Sequence, residues 1–136
     1  MAVTTAPDIG PHIEAVRAAL AGAGLAVGLG GAPSPVPAGG RYAVLYPDPG
    51  TVGRESLADR RTDLAILFQV TCVGPTAVQC LWVAQQVRRA LHPPLAVPGR
   101  STWRPEELGG PPVARDDDVS PPLYFLPVQY RLQSTA

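Results

Sequence analysis

A change of hydrophobic period at Gly74-Pro75 constrains this chain more than any other feature. Before it, residues 63–73 alternate, with Leu64, Ile66, Phe68, Val70 and Cys72 on one side and Asp63, Gln69 and Thr71 on the other. Alternation in residues that suit a pleated surface predicts a strand with one dry face. After it, Val78, Leu81, Ala84 and Leu91 recur every three or four residues, which predicts a helix. Pro75 suits the first helical turn, where its missing N–H costs nothing. Arg88, Arg89 and His92 complement the dipole of the last turn, and Pro93-Pro94 ends it. The helix is expected to fold back and lay its Leu81/Ala84/Leu91 stripe on the Phe68 face. Trp82, beside that stripe, reads as a core residue.

The flanking segments supply less. Residues 1–7 form a small polar leader expected to fray. Asp8 can cap a helix carrying Pro11 and Glu14 in its first turn. Ile9, Ile13, Val16 and Leu20 mark its apolar stripe, and Gly22 and Gly24 end it. Leu25 to Leu29 can form a short strand, and Gly30 to Gly40 is a proline-stiffened loop. Arg41 to Tyr46 alternates as a strand, with Tyr42, Val44 and Tyr46 on one face and Ala43 and Leu45 on the other. Pro47-Asp48-Pro49-Gly50 reads as a turn, and Thr51 to Thr62 as a long protruding loop or hairpin. Beyond the central helix, Leu95 to Val97 and Ser101 to Arg104 are weak strand candidates. Glu106 to Pro122 reads as irregular. Leu123 to Leu132 alternates again, and Pro127 places that strand at a sheet edge or at a bulge.

One domain over residues 1–136 follows from the length. Its class is α+β: a single, mostly antiparallel sheet with two helices packed on one face and long Pro/Gly-rich loops. Seventeen prolines and fourteen glycines account for those loops. The other sheet face carries Ala65, Leu67, Val73, Leu123 and Phe125, which is too apolar for water and too thin for a second core. Contact with another subunit is the expected cover.

Little in the chain points to catalysis. All eleven basic residues are arginine, so there is no lysine for a Schiff base or a P-loop. Zero net charge argues against a grip on nucleic acid driven by basic excess. His12 and His92 have no metal-ligand partners at suitable spacing, and Asp116-Asp117-Asp118 lacks the alternation of a calcium loop. Cys72 and Cys80 read as buried small hydrophobes rather than as a disulfide, and Trp103 as an interface residue. No catalytic residue, cofactor or metal is expected. No apolar run is long enough to cross a membrane, and no signal peptide is legible.

Taken together, the N-terminal helix, Tyr42-Ala-Val-Leu-Tyr-Pro-Asp-Pro-Gly50, Phe68-Gln-Val-Thr-Cys-Val-Gly74, the helix from Gln79 to Leu91, Arg115-Asp-Asp-Asp-Val119 and the final Tyr/Leu-rich strand resemble a known pattern. The chain is similar to the tail terminator, or tail completion, proteins of long-tailed actinobacterial-type phages, across most of residues 8–133. The resemblance implies a small α+β subunit that forms a ring, usually a hexamer, capping the finished tail tube. Such a ring ends tube polymerisation and joins the head-side connector, or neck, protein. It leaves a channel through which DNA passes without specific binding. The implied location is the head-proximal end of the tail in the virion, after synthesis in the host cytoplasm, with no membrane and no cofactor.

A neck or head-completion connector is the nearest alternative. A small ligand-binding α+β module, with its pocket beneath the central helix, and a hydrolase with an unrecognised nucleophile come from other classes. For the interface, the mixed charges of Arg54, Glu55, Asp59, Arg60 and Arg61 suggest an arm docking on a neighbouring subunit or on the tube. Asp116, Asp117 and Asp118 of a neighbour are its natural counterpart. A mobile solvent loop stands as an equal reading of the same segment.

Overall fold

The computed structural model describes residues 6–53 and 63–136. In chain order the elements are α1 (Ile9–Gly22), β1 (Val27–Leu29), β2 (Tyr42–Pro47), β3 (Thr51–Gly53) and β4 (Asp63–Gly74). There follow α2 (Ala77–Ala90), β5 (Ser101–Thr102), β6 (Glu106–Gly109), β7 (Ala114–Asp116) and β8 (Leu123–Thr135). The eight strands form one sheet in the order β1-β2-β4-β8-β5, with β3 on β4 and both β6 and β7 on β8. Among the described residues only β1 and β2 pair in parallel, and every other pairing is antiparallel. The fold is α+β, as the alternating strands and single helices predict.

The core follows from the period of β4. Leu64, Ile66, Phe68, Val70 and Cys72 are all buried, together with Ala43 and Leu45 of β2 and Tyr130 and Leu132 of β8. Val16 and Leu20 of α1 and Cys80, Val83 and Val87 of α2 complete the same cluster, so both helices cover one face. Phe68 and Tyr130 stack across β4 and β8 with ring centroids 5.5 Å apart. Cys72 and Cys80 are buried free thiols, and the Cys80 Sγ donates to the Cys72 carbonyl at 3.2 Å.

The strand-to-helix junction is tight. A Cβ on Gly74 would lie 2.6 Å from the Cys80 backbone nitrogen, so only glycine lets α2 come this close. Thr76 caps α2, its hydroxyl accepting from the Gln79 N–H at 3.1 Å. Pro75 therefore precedes the cap instead of filling the first turn. At the other helix, Asp8 holds the cap position without a side-chain bond. Its backbone carbonyl accepts from His12 Nδ1–H at 2.7 Å instead.

Three further expectations are corrected. The core face of α2 is Cys80, Val83, Val87 and, just past its end, Leu91; Val78, Leu81 and Trp82 face outward. Helix α2 carries two apolar stripes, and the stripe with the larger side chains is the outer one. Residues 51–53, within the segment read as a loop or hairpin, form β3, whose antiparallel pairing with Asp63–Ala65 of β4 agrees with the hairpin alternative. Leu95 and Val97 are buried but in no strand, and residues 106–122 are not wholly irregular, because β6 and β7 lie within them.

The last correction concerns Pro127. Strand β8 is not at an edge: it pairs with β4 from Leu64↔Ser134 to Gly74↔Tyr124, and with β5, β6 and β7 on its other side. Strand β6 stops at Gly109↔Gln129 and β7 begins at Ala114↔Phe125, so Pro127 sits opposite the gap between them. A Cβ on Gly110 would lie 2.0 Å from the Pro127 carbonyl oxygen, which shows that this carbonyl points into the gap. In an antiparallel strand the N–H and C=O of one residue point the same way, so the missing donor also faces the gap and the β4 ladder loses nothing.

Candidate assembly interface

With both helices on one side, no helix among the described residues covers the opposite face of the sheet. It is read in rows across three strands. Tyr42, Val73 and Phe125 form one row; Val44, Thr71 and Pro127 the next; Tyr46, Gln69 and Gln129 the third; Leu67 and Arg131 follow. At one end, Tyr42, Val44 and Val73 are buried in a second small cluster, joined by Ala26, Leu123 and Phe125. In the middle the face turns polar. Gln129 Nε2 donates to Gln69 Oε1 at 2.7 Å, and Gln69 Nε2 donates to Thr71 Oγ1 at 2.9 Å. Each amide thus spends one N–H within the belt, and the polar atoms left over can hydrogen-bond a facing protein surface or water.

The apolar end is a shallow groove of about 270 Å³, with Tyr42, Tyr46 and Phe125 along it and Asp116 at its rim. Burial raises the Tyr42 phenol above its ordinary range, with Tyr46 and the Asp116 carboxylate adding to the effect. A second depression of about 260 Å³ lies between Asp48, Leu67 and Arg131. Asp48 fixes that corner: its Oδ1 accepts from the Gly50 and Leu67 N–H groups at 2.9 and 3.0 Å. It secures the turn at the point where β4 exchanges β2 for β3 as neighbour. Leu67 is 44% exposed and Tyr46 43%, high for large apolar side chains in the middle of a sheet.

Arg54, Glu55, Asp59, Arg60 and Arg61 lie outside the described residues. The acidic stretch is described. Asp116 ends β7, and its Oδ1 accepts from the Asp118 N–H at 3.0 Å. Arg115 pairs with Asp117 at 2.7 Å within the same turn. One of the three carboxylates is thus neutralised locally, and the turn keeps a negative excess beside the groove. The Trp103 side chain is exposed, and its backbone N–H donates to the Gln133 carbonyl at 3.1 Å.

Two polar clusters hold the layers together and escaped the reading of the sequence. In the first, His12 and Ser134 are buried in the core layer beneath α1. The Ser134 hydroxyl accepts from Arg100 Nε–H and Nη2–H at 3.2 and 3.0 Å, which leaves its own proton for His12 Nε2 at 2.6 Å. His12 is then the Nδ1–H tautomer, as its bond to the Asp8 carbonyl also requires. A serine beside a histidine suggests a nucleophile, but neither side chain reaches solvent, and the cavity lined by His12, Phe68 and Leu132 is about 10 Å³. No substrate can enter there. The helical spacing of His12, Val16 and Leu20 was the available signal.

In the second cluster, Arg88 of α2 grips Glu107 of β6 through two hydrogen bonds of 2.9 and 3.2 Å, and the Tyr130 hydroxyl donates to the same carboxylate at 3.2 Å. The guanidinium holds Glu107 below the usual carboxylate range, while burial raises the Tyr130 phenol. This pair ties the outer strand to the helix layer. Among the described residues, no group of three or more His, Cys, Asp or Glu side chains is placed to hold a metal, and no helix is long and apolar enough to cross a membrane.

No family model and no curated protein matches the chain. Several solved structures share its fold. One is a chain of the virion of a native gene transfer agent particle, with 21% identity and a TM-score of 0.60 over 91% of this chain and 91% of that one. Another has 17% identity and a TM-score of 0.54 over 91% of this chain and 96% of that one. The chain therefore has an α+β fold that also occurs in the gene transfer agent virion.

Proposed function

We propose that this chain is a structural subunit of a phage-type virion, and that it caps the tail tube as a closed ring of six copies. The ring ends tube polymerisation and presents its outer surface to the head-side connector. The observation that carries the reading is the sheet face that no described helix covers: an apolar groove beside a hydrogen-bonded polar belt, on a domain whose fold recurs over nearly its whole length in a gene transfer agent virion. Such a face suits contact with another protein. The resemblance to tail terminators supplies the ring and its place at the head-proximal end of the tail. Zero net charge agrees with a channel that lets DNA slide through unheld.

The test is assembly. Negative-stain microscopy and analytical ultracentrifugation of the purified protein, alone at high concentration and mixed with tail tubes, should show closed rings or ring-capped tubes. A species that stays monomeric under both conditions overturns the proposal. Rings that bind portal-side connectors but never tubes would instead establish the neck-protein reading.

A further inference from the structure

The proposed ring requires two different patches on each subunit, because a closed ring is built from head-to-tail contacts. The sheet face opposite the helices is one. At 3.6 residues per turn, Val78, Leu81, Trp82 and Arg89 lie on the side of α2 opposite Cys80, Val83 and Val87. Val78 is 77% exposed, Leu81 50% and Trp82 42%. A helix already anchored by a buried stripe gains nothing from a second apolar stripe in water, so this one is a contact surface. Since α2 covers the helix side of the sheet, the two patches lie on opposite faces of the domain.

Their charges are complementary. The α2 stripe is bordered by Arg41, whose guanidinium lies 4.4 Å from the centroid of Trp82, and by exposed Arg89 in the last turn. The groove on the sheet face has Asp116 at its rim, with exposed Asp117 and Asp118 beyond it. An isologous contact between two sheet faces would leave both α2 stripes in water. A head-to-tail contact covers both patches and brings the arginines of one copy toward the acidic turn of the next. We infer that the occupant of the Tyr42/Tyr46/Phe125 groove is the outer α2 stripe of a second copy of this chain. This inference rests on the ring reading and specifies the subunit joint within it.

Cysteine cross-linking tests it, since the two native thiols are buried and unreactive. Tyr46→Cys and Leu81→Cys replace exposed side chains, and unfolding midpoints close to wild type confirm that both variants fold. With a short bis-maleimide at a concentration where rings form, or on tail tubes, the double variant should give a ladder from dimer up to the full ring. Each single variant should remain monomeric on denaturing gels. A 1:1 mixture of the single variants should yield dimers. Strong dimer formation by either single variant, with no ladder from the double, would show an isologous contact and overturn the inference. Rings visible by microscopy without any ladder overturn this joint while leaving the ring intact. Absence of rings under every condition overturns both. As a second arm, Arg89→Asp and Asp116→Arg should each lower the assembled fraction severalfold, and the two together should restore it. Failure of the pair to recover counts against the joint.

Discussion

His12 and Ser134, 122 residues apart in the chain, share a buried 2.6 Å hydrogen bond that fastens the first helix to the last strand. Burial holds the His12 imidazole below its ordinary value of 6.5, and the Arg100 guanidinium adds to this; the Asp8 carbonyl and carboxylate oppose both in part. Above that value both the folded and the unfolded chain are neutral at this site. As pH falls below it, the unfolded chain takes up a proton that the folded chain resists, so stability declines until the folded pKa is passed. Thermal unfolding from pH 7.5 to pH 5 should show this loss, and His12→Gln should flatten the slope. An unchanged slope in the variant would assign the acid sensitivity to carboxylates elsewhere.

Ser134→Ala removes the group on which His12 and Arg100 converge. A buried acceptor left without its donor costs roughly 1–3 kcal/mol. Denaturant unfolding should register a loss of that order at pH 7.5.

The two faces of α2 should separate folding from the proposed assembly. Leu91 is 1% exposed and packs in the main cluster, so Leu91→Ala should cost ~2–5 kcal/mol. Leu81→Ala should change the unfolding free energy by only about 0.5 kcal/mol or less, because it removes a surface side chain. Equal losses at both positions would place Leu81 in the core after all.

The thiols give a further check on burial. Cys72 is pushed up to about 12 and Cys80 to about 11, in both cases by desolvation first. At pH 8 neither is a thiolate in the folded protein, so a disulfide reagent such as Ellman's should release almost no colour until denaturant is added. Rapid reaction of one thiol per chain under native conditions would mean that the Gly74 junction opens readily.

That junction should tolerate no side chain. Gly74→Ala places a methyl 2.6 Å from the Cys80 backbone nitrogen, and backbone cannot swing aside as a flexible side chain can. A loss of ~1–3 kcal/mol is the expected scale for such overpacking. Thr76→Ala, two residues on, should cost about 1 kcal/mol through its lost cap.

What the sequence disclosed depended on how much each segment carries its own signal. The alternation from Leu64 to Cys72 is long enough to state strand, buried face and partner helix without help. Helix α2 was legible as a helix but not in orientation. Val78, Leu81 and Trp82 outweigh Cys80, Val83 and Val87 in bulk, and periodicity ranks bulk, not location. Strands β6 and β7 carry no pattern of their own. They are strands because β8 offers them a hydrogen-bonding edge, an effect of tertiary context that a local window cannot contain. Pro127 was read correctly as a ladder break and assigned to the wrong cause: the break lies beside the strand. His12 sits on the α1 stripe, yet a histidine there is indistinguishable from a solvent residue until Ser134 arrives from the far end of the chain. The acidic turn was visible by composition, and its internal pairing with Arg115 was not.

Because β8 lies in the interior of the sheet, the order of synthesis and the order of closure are opposed. During translation β2, β4 and α2 emerge first, and the long flank of β4 that will receive β8 must wait, unpaired, for some fifty further residues. An open flank of alternating Leu, Ile, Phe and Val is a template for any passing strand. Nascent or truncated chains lacking the last dozen residues should therefore be captured by chaperones or enter inclusion bodies. A reporter fused after residue 136 would become soluble only once β8 had been inserted.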